Sequence, residues 1–219
     1  YVVTTRYKEG NRETIWGLAN QGTMIIGSLP HRVIKNNQGT WKAGYSGVSP
    51  TLNTVEHFYT ENGVPIEKDK QFYPQSEWYQ SAGVTDRSDI IKLNPRREPR
   101  FYAWIAFDGG DMGSRIYGGQ PLKLEMRNSE LHGYNPSLFN RDNCVTGYLS
   151  QKFIEPTFAW TASAEEKQDK PRPLIRMAEL YLNLAECCAA LDEVPQALAQ
   201  LNIVRKRAGI RELTTSDVT

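Results

Sequence analysis

The sequence predicts a mainly α chain, built from α-α helix pairs with long irregular loops and minor β. Three observations carry that prediction. Residues 174–211 show two apolar stripes at helical spacing. Turn-forming Gly, Asn and Pro interrupt most of residues 1–170, and one run, residues 100–107, has the apolar and aromatic content of a strand.

The helix pair is the clearest element. Leu174, Met177, Ala178, Tyr181, Leu184, Ala185, Cys188 and Leu191 recur at three- and four-residue steps, which places them on one helical face. A second stripe runs through Val194, Ala197, Leu201, Val204 and Ala208. Pro195 suits the first turn of that second helix, where a missing N–H costs nothing, and Gly209 suits the position just past its end. Arg205, Lys206 and Arg207 crowd the last turn, where cations meet the negative end of the helix dipole. The joining segment is short, so the helices are expected side by side. Tyr181, Leu184, Ala185, Cys188, Ala197 and Leu201 also fall at the offsets of the tetratricopeptide pattern, whose small residues let two backbones approach. The expected architecture is therefore a tetratricopeptide-like pair. One such unit cannot bury its own apolar face, so either further repeats or the rest of the chain must cover it.

Residues 1–70 show no sustained helical period. Asn11 to Thr14 reads as a turn into a short strand or buried segment at Ile15, Trp16, Gly17, Leu18 and Ala19. Residues 29–47 are dominated by turn formers and read as a surface loop. A short helix is expected to begin at Ser49-Pro50-Thr51 and carry Leu52, Val55 and Phe58, stopping before Asn62-Gly63. The run 100–107, bounded by Pro99 and Asp108-Gly109-Gly110, is expected to be a strand buried on both faces. Residues 161–171, with Glu165, Glu166, Lys167, Asp169 and Lys170, read as a solvated connection into the helix pair.

Charge is nearly balanced, with 26 basic against 25 acidic residues and net +1, so nothing favours nucleic acid or an anionic membrane surface. Cys144, Cys187 and Cys188 are too few for a disulfide framework and read as small buried side chains. His31, His57 and His132 lie far apart, without zinc spacing, and no metal or cofactor is expected. Gly44-Tyr45-Ser46-Gly47 misses the nucleophile elbow, because its second glycine comes one position early. Asp108-Gly109-Gly110-Asp111 lacks the alternating ligands of a calcium loop and reads as a turn. No acid pair is proposed by spacing. Glu179 and Glu186 stand seven residues apart along one helix.

What remains is an aromatic and polar surface, drawn from five Trp, eleven Tyr and seven Phe. Sugar rings present C–H faces that stack on Trp and Tyr, while Asn, Asp and Arg take the hydroxyls. Arg32, Asn37, Trp41 and Tyr45 gather those residue types in one loop, with Trp41 expected to be exposed. Residues 72–80 offer a second platform around Trp78 and Tyr79. Trp16, Trp104 and Trp160 sit in apolar context and are expected in the core.

Four stretches also carry a resemblance. Arg176-Met-Ala-Glu-Leu-Tyr-Leu-Asn-Leu-Ala-Glu186, followed by Leu201-Asn-Ile-Val-Arg-Lys-Arg-Ala-Gly209, resembles the C-terminal signature of the SusD/RagB family. Phe58-Tyr-Thr-Glu-Asn-Gly-Val-Pro-Ile66, Arg96-Arg-Glu-Pro-Arg-Phe-Tyr102 (with Glu98 where the family usually has Asp) and Gly147-Tyr148 through Lys152-Phe153 agree in order. The resemblance implies a surface lipoprotein of Bacteroidetes that captures glycans or other nutrients beside a SusC-like TonB-dependent transporter in the outer membrane, without catalysis. It also implies that loops ahead of the terminal pair form part of the ligand platform. Such a protein carries a lipidated cysteine and several helical repeats ahead of these motifs, so the chain is expected to be a C-terminal portion of a longer one. Residues 1–172 are expected to form the loop-rich part and 173–219 the hairpin of one continuous domain. Two other readings stay open: an intracellular tetratricopeptide scaffold that binds peptides, and a carbohydrate-active enzyme.

Overall fold

The computed structural model describes residues 5, 9–24, 28–29, 34–35, 41–42, 44–83, 89–115, 121–137, 143–152, 154 and 167–218. In order these form β1 (Thr14–Met24), β2 (Ile34–Lys35), β3 (Trp41–Lys42), α1 (Leu52–Glu56), α2 (Pro99–Trp104), β4 (Ile105–Phe107) and β5 (Asp111–Arg115). Then follow β6 (Pro121–Lys123), β7 (Tyr148–Ser150), β8 (Lys167–Arg176), α3 (Met177–Ala190) and α4 (Val194–Arg207). The strands pair antiparallel as two-stranded ribbons: β1 with β8, β2 with β3, β4 with β7, and β5 with β6. Helix and small sheets together give a more mixed architecture than a helix-dominated one. The added β comes mainly from the long β1–β8 ribbon.

The β4–β7 ladder divides the core. Side chains alternate across a strand, so Ile105 and Phe107 enter one apolar cluster and Ala106 the other. Their partners follow the same division: Tyr148 opposite Phe107 joins the first cluster, and Leu149 opposite Ala106 joins the second. The strand is buried on both faces, as its composition predicts, but it is shorter than expected. Residues 99–104 are helical, because Pro99 occupies the first turn of α2, where it suits a helix start rather than a strand boundary.

The first cluster is organised around a buried cation. Arg96 takes a left-handed backbone, φ 59°, and the next residue, Arg97, turns inward to 2% exposure. The Arg97 guanidinium donates to the carbonyls of Val55 (2.6 Å), Phe58 (2.7 Å) and Leu93 (2.8 Å). It also lies 4.8 Å from the Phe101 ring centroid and 5.9 Å from that of Phe72. Burial lowers its pKa to about 10, so it stays charged at neutral pH. Next to it, the buried Glu98 carboxylate accepts from Tyr59 N (2.9 Å) and Arg100 Nε (2.6 Å). α1 begins on Thr51, whose hydroxyl accepts from Thr54 N. The Arg-Arg-Glu-Pro-Arg segment thus ties the end of α1 to the start of α2.

The terminal region begins differently from expectation. Leu174, Ile175 and Arg176 are strand, not helix, and α3 starts at Met177, whose N–H donates to Glu13 O. Pro171 and Pro173 bias Lys170 and Arg172 toward extended backbone, and β1 supplies the pairing partner. Gly17 lies so close to this partner that an added Cβ would meet Arg172 O at 2.5 Å. Of the expected solvated connection, residues 167–171 are therefore strand, and 161–166 lie outside the described residues. Within the expected loop 29–47, β2 and β3 pair as a short hairpin.

α3 and α4 pack against each other, and Ala178, Ala185 and Leu198 are their buried apolar positions. Arg205 anchors the pair to the rest of the chain, donating to Gly63 O and Arg211 O, both at 2.8 Å. Gly63 has φ +73°, and a Cβ there would sit 2.9 Å from that guanidinium. Arg207 pairs with Glu13. Leu184 and Leu191 (71%), which the expected apolar stripe included, are exposed along with Leu180 and Ile203, and so is Trp16 at 62%, contrary to its expected place in the core. Trp104 is half-buried under the Lys152 ammonium, 4.3 Å from its ring, and Trp160 lies outside the described residues. Cys144 is buried as expected, Cys188 only partly so, and Cys187 faces solvent, because neighbouring helical positions cannot share one face. No described helix is long and apolar enough to cross a membrane.

Candidate functional site

The expected ligand residues divide sharply. Arg32 and Asn37 lie outside the described residues. Trp41 stands in β3 opposite Lys35, and only its backbone is described. Tyr45 is exposed at 39%. The following residue, Ser46, adopts a left-handed backbone, φ 48°, and is buried, with its N–H donating to Leu29 O at 3.0 Å. That turn holds the backbone beneath the exposed Tyr45 ring. The Ser46 hydroxyl, among the described residues, has no hydrogen-bond partner.

Trp78 requires a correction. Its ring is only 5% exposed, packed in the Arg97 cluster, and its Nε1 donates to Tyr73 O at 2.9 Å. An indole in that position holds its loop in place and offers no face for stacking. The exposed ring is its neighbour, Tyr79, at 57%, whose hydroxyl donates to Glu56 Oε1 at 3.4 Å. The backbone beneath it is secured on both sides: Leu93 N donates to Trp78 O, and Lys92 N to Gln80 O, both at 2.9 Å. Lys92 Nζ bonds Glu77 at 2.6 Å and lies 5.4 Å from the Tyr73 ring. The run 72–80 offered both rings as a platform, and only their tertiary surroundings separate the buried Trp78 from the exposed Tyr79.

A second feature is polar. Glu61, Asn62, Asp69, Gln71 and Arg211 line an open cleft of about 460 Å³ with no aromatic ring in its wall. Glu61 is bound by Arg96 at 2.7 Å. Asp69 accepts from Thr60 Oγ1 (2.6 Å), Asn62 Nδ2 (2.9 Å) and Gln71 N (2.9 Å). Burial alone would raise the Asp69 pKa, but those hydrogen bonds outweigh it and hold the carboxyl below its usual range. Two carboxylates therefore share a cleft, and its hydrogen bonds favour the ionised form of Asp69. Elsewhere, Asp108 closes its glycine turn by accepting from Met126 N (2.7 Å) and Arg127 Nε (3.0 Å). Among the described residues no three His, Cys, Asp or Glu side chains gather as a metal site.

Comparison with known proteins places this architecture. The chain superposes on BT4246 with TM-score 0.90 and 58% identity, covering 100% of this chain and 37% of that one. It also matches a SusD-like protein, BF3747 from Bacteroides fragilis NCTC 9343, with TM-score 0.66 and 24% identity, over 96% of this chain and 39% of that one. A SusD-like carbohydrate binding protein, BF0978 from the same strain, matches with TM-score 0.62 and 20% identity, over 100% of this chain and 38% of that one. The chain thus spans less than two-fifths of the length of these relatives. No curated protein sequence matches. The model of the SusD family matches residues 6–219, and on that match the chain belongs to the SusD family.

Proposed function

We propose that this chain is part of a cell-surface protein that captures a glycan by equilibrium binding and delivers it to a SusC-like TonB-dependent transporter, without chemical turnover. The full-length protein would be held at the outer membrane by a lipid anchor. The observation that carries the reading is the family match over nearly the whole chain, alongside a similarly folded relative described as carbohydrate binding.

In this reading α3 and α4 act as a tetratricopeptide-like pair at the end of one continuous SusD-type domain, with 1–172 as its loop-rich part and 173–219 as the hairpin. Arg205 and Arg207 support continuity by reaching back to Gly63 and Glu13. Trp41 and Tyr45 would stack on sugar faces, with Arg32 and Asn37 taking hydroxyls.

The test uses the full-length protein and a panel of soluble oligosaccharides, read by calorimetry and by release of reducing ends. Binding without new reducing ends is expected. Trp41→Ala should weaken binding by about 1–3 kcal/mol, by analogy with base stacking, with little change in melting temperature. Absence of binding across the panel, or sustained release of reducing ends, overturns the reading. A stable Trp41→Ala protein with unchanged affinity removes Trp41 from it.

A further inference from the structure

Within that glycan-capture reading, one surface in the second expected platform, residues 72–80, has the makings of a sugar contact. Tyr79 is the exposed member of a Trp-Tyr pair whose Trp is locked in the core. A stacking ring must be both accessible and held, because ordering a mobile side chain on binding consumes affinity. Tyr79 meets both conditions. Its backbone is flanked by the bonds Leu93 N to Trp78 O and Lys92 N to Gln80 O, and its hydroxyl donates to Glu56 Oε1.

The surroundings also select a ligand charge. Lys92 is already neutralised by Glu77. Among the described residues the Glu56 carboxylate has no cation in salt-bridge contact and Tyr79 OH is its side-chain partner; the Arg97 cation that interacts with it electrostatically is buried and turned to backbone carbonyls. A half-exposed carboxylate beside an aromatic ring accepts hydrogen bonds from sugar hydroxyls and repels sulfate or carboxylate groups. We propose that Tyr79 and Glu56 form a contact site for an uncharged pyranose ring, with Tyr79 stacking on its C–H face and Glu56 accepting from a hydroxyl.

The test compares the full-length parent with Tyr79→Ala, Tyr79→Phe and Glu56→Gln. The probes are neutral gluco-, manno- and galacto-oligosaccharides and sulfated galacto-oligosaccharides. Tyr79→Ala is expected to lose about tenfold in affinity for the bound neutral probe, the size of one lost stacking contact. Tyr79→Phe should retain most of that affinity, since the ring remains. Glu56→Gln should narrow the preference for neutral over sulfated galacto-oligosaccharides. Melting temperatures near the parent's confirm that the variants are folded, as expected at an exposed position. A parent that binds while Tyr79→Ala binds equally well overturns this site but leaves the capture reading intact. A parent that prefers the sulfated probe overturns the ligand class. A parent that binds no probe overturns both.

Discussion

The region around Arg97 and the region formed by β1, β8, α3 and α4 solve burial in opposite ways. Around Arg97, aromatics from residues 58–107 close over a guanidinium whose donors reach carbonyls at 2.6–2.8 Å, leaving Phe101, Leu93 and Val55 fully enclosed. In the terminal region the helices are long and regular, yet Leu180, Leu184, Leu191 and Ile203 stay exposed, and so do Ile15, Trp16, Leu18 and Leu174 on the ribbon. The first region is short of regular secondary structure and well covered. The second has abundant secondary structure and an open apolar face. Helical periodicity is therefore no guide to which part of the chain is held most firmly. Coverage of apolar area and satisfaction of buried polar groups decide that.

The largest expected effect follows from that contrast. Arg97→Ala leaves several buried carbonyls without donors, and each costs about 1–3 kcal/mol, so a loss above about 3 kcal/mol is expected in denaturant unfolding. A variant that melts with the parent would remove Arg97 as the organising group. Ala185→Leu comes next, because Ala185 is a buried position on α3, which packs on α4, and a larger side chain overpacks its surroundings. A cost of about 1–3 kcal/mol is expected from thermal melts. Unchanged melting would mean that the two helices are not packed through this residue.

A smaller effect concerns acid. Hydrogen bonds from Thr60, Asn62 and Gln71 outweigh burial and hold the folded-state pKa of Asp69 below its ordinary value, so its stabilising contribution is present above that ordinary value and is lost as pH falls through the folded pKa. Asp69→Asn should flatten the dependence of stability on pH below about 4, the reference range for an aspartate. A variant with the parent's acid profile would show that other carboxylates govern it. The smallest effect is expected on the open face: Leu191→Glu should change the stability of this chain by less than about 0.5 kcal/mol. A loss several times larger would mean that Leu191 is covered in solution, and would weaken the contrast between the two regions.

Local chemistry made much of this protein legible. The α1 start at Thr51, α4 with Pro195 in its first turn and Gly209 beyond its end, and the two-faced burial of Ile105, Ala106 and Phe107 all follow from neighbours within a few residues. The family's signature stretches belong to the same local class. Tertiary structure decided what depends on distant partners. Leu174–Arg176 became strand because β1 lies alongside from the opposite end of the chain, and a helical stripe cannot register that pairing. Trp16 sits on that ribbon in solvent, although its apolar sequence neighbours suggested burial. Within the aromatic run 72–80, the same composition allowed either Trp78 or Tyr79 to face outward. The pocket beneath, formed with Leu93 and Phe101, took the indole and left the phenol exposed. Arg97 was hardest to foresee. A lone arginine normally stays in water, and only carbonyls brought together from residues 55, 58 and 93 make its burial favourable.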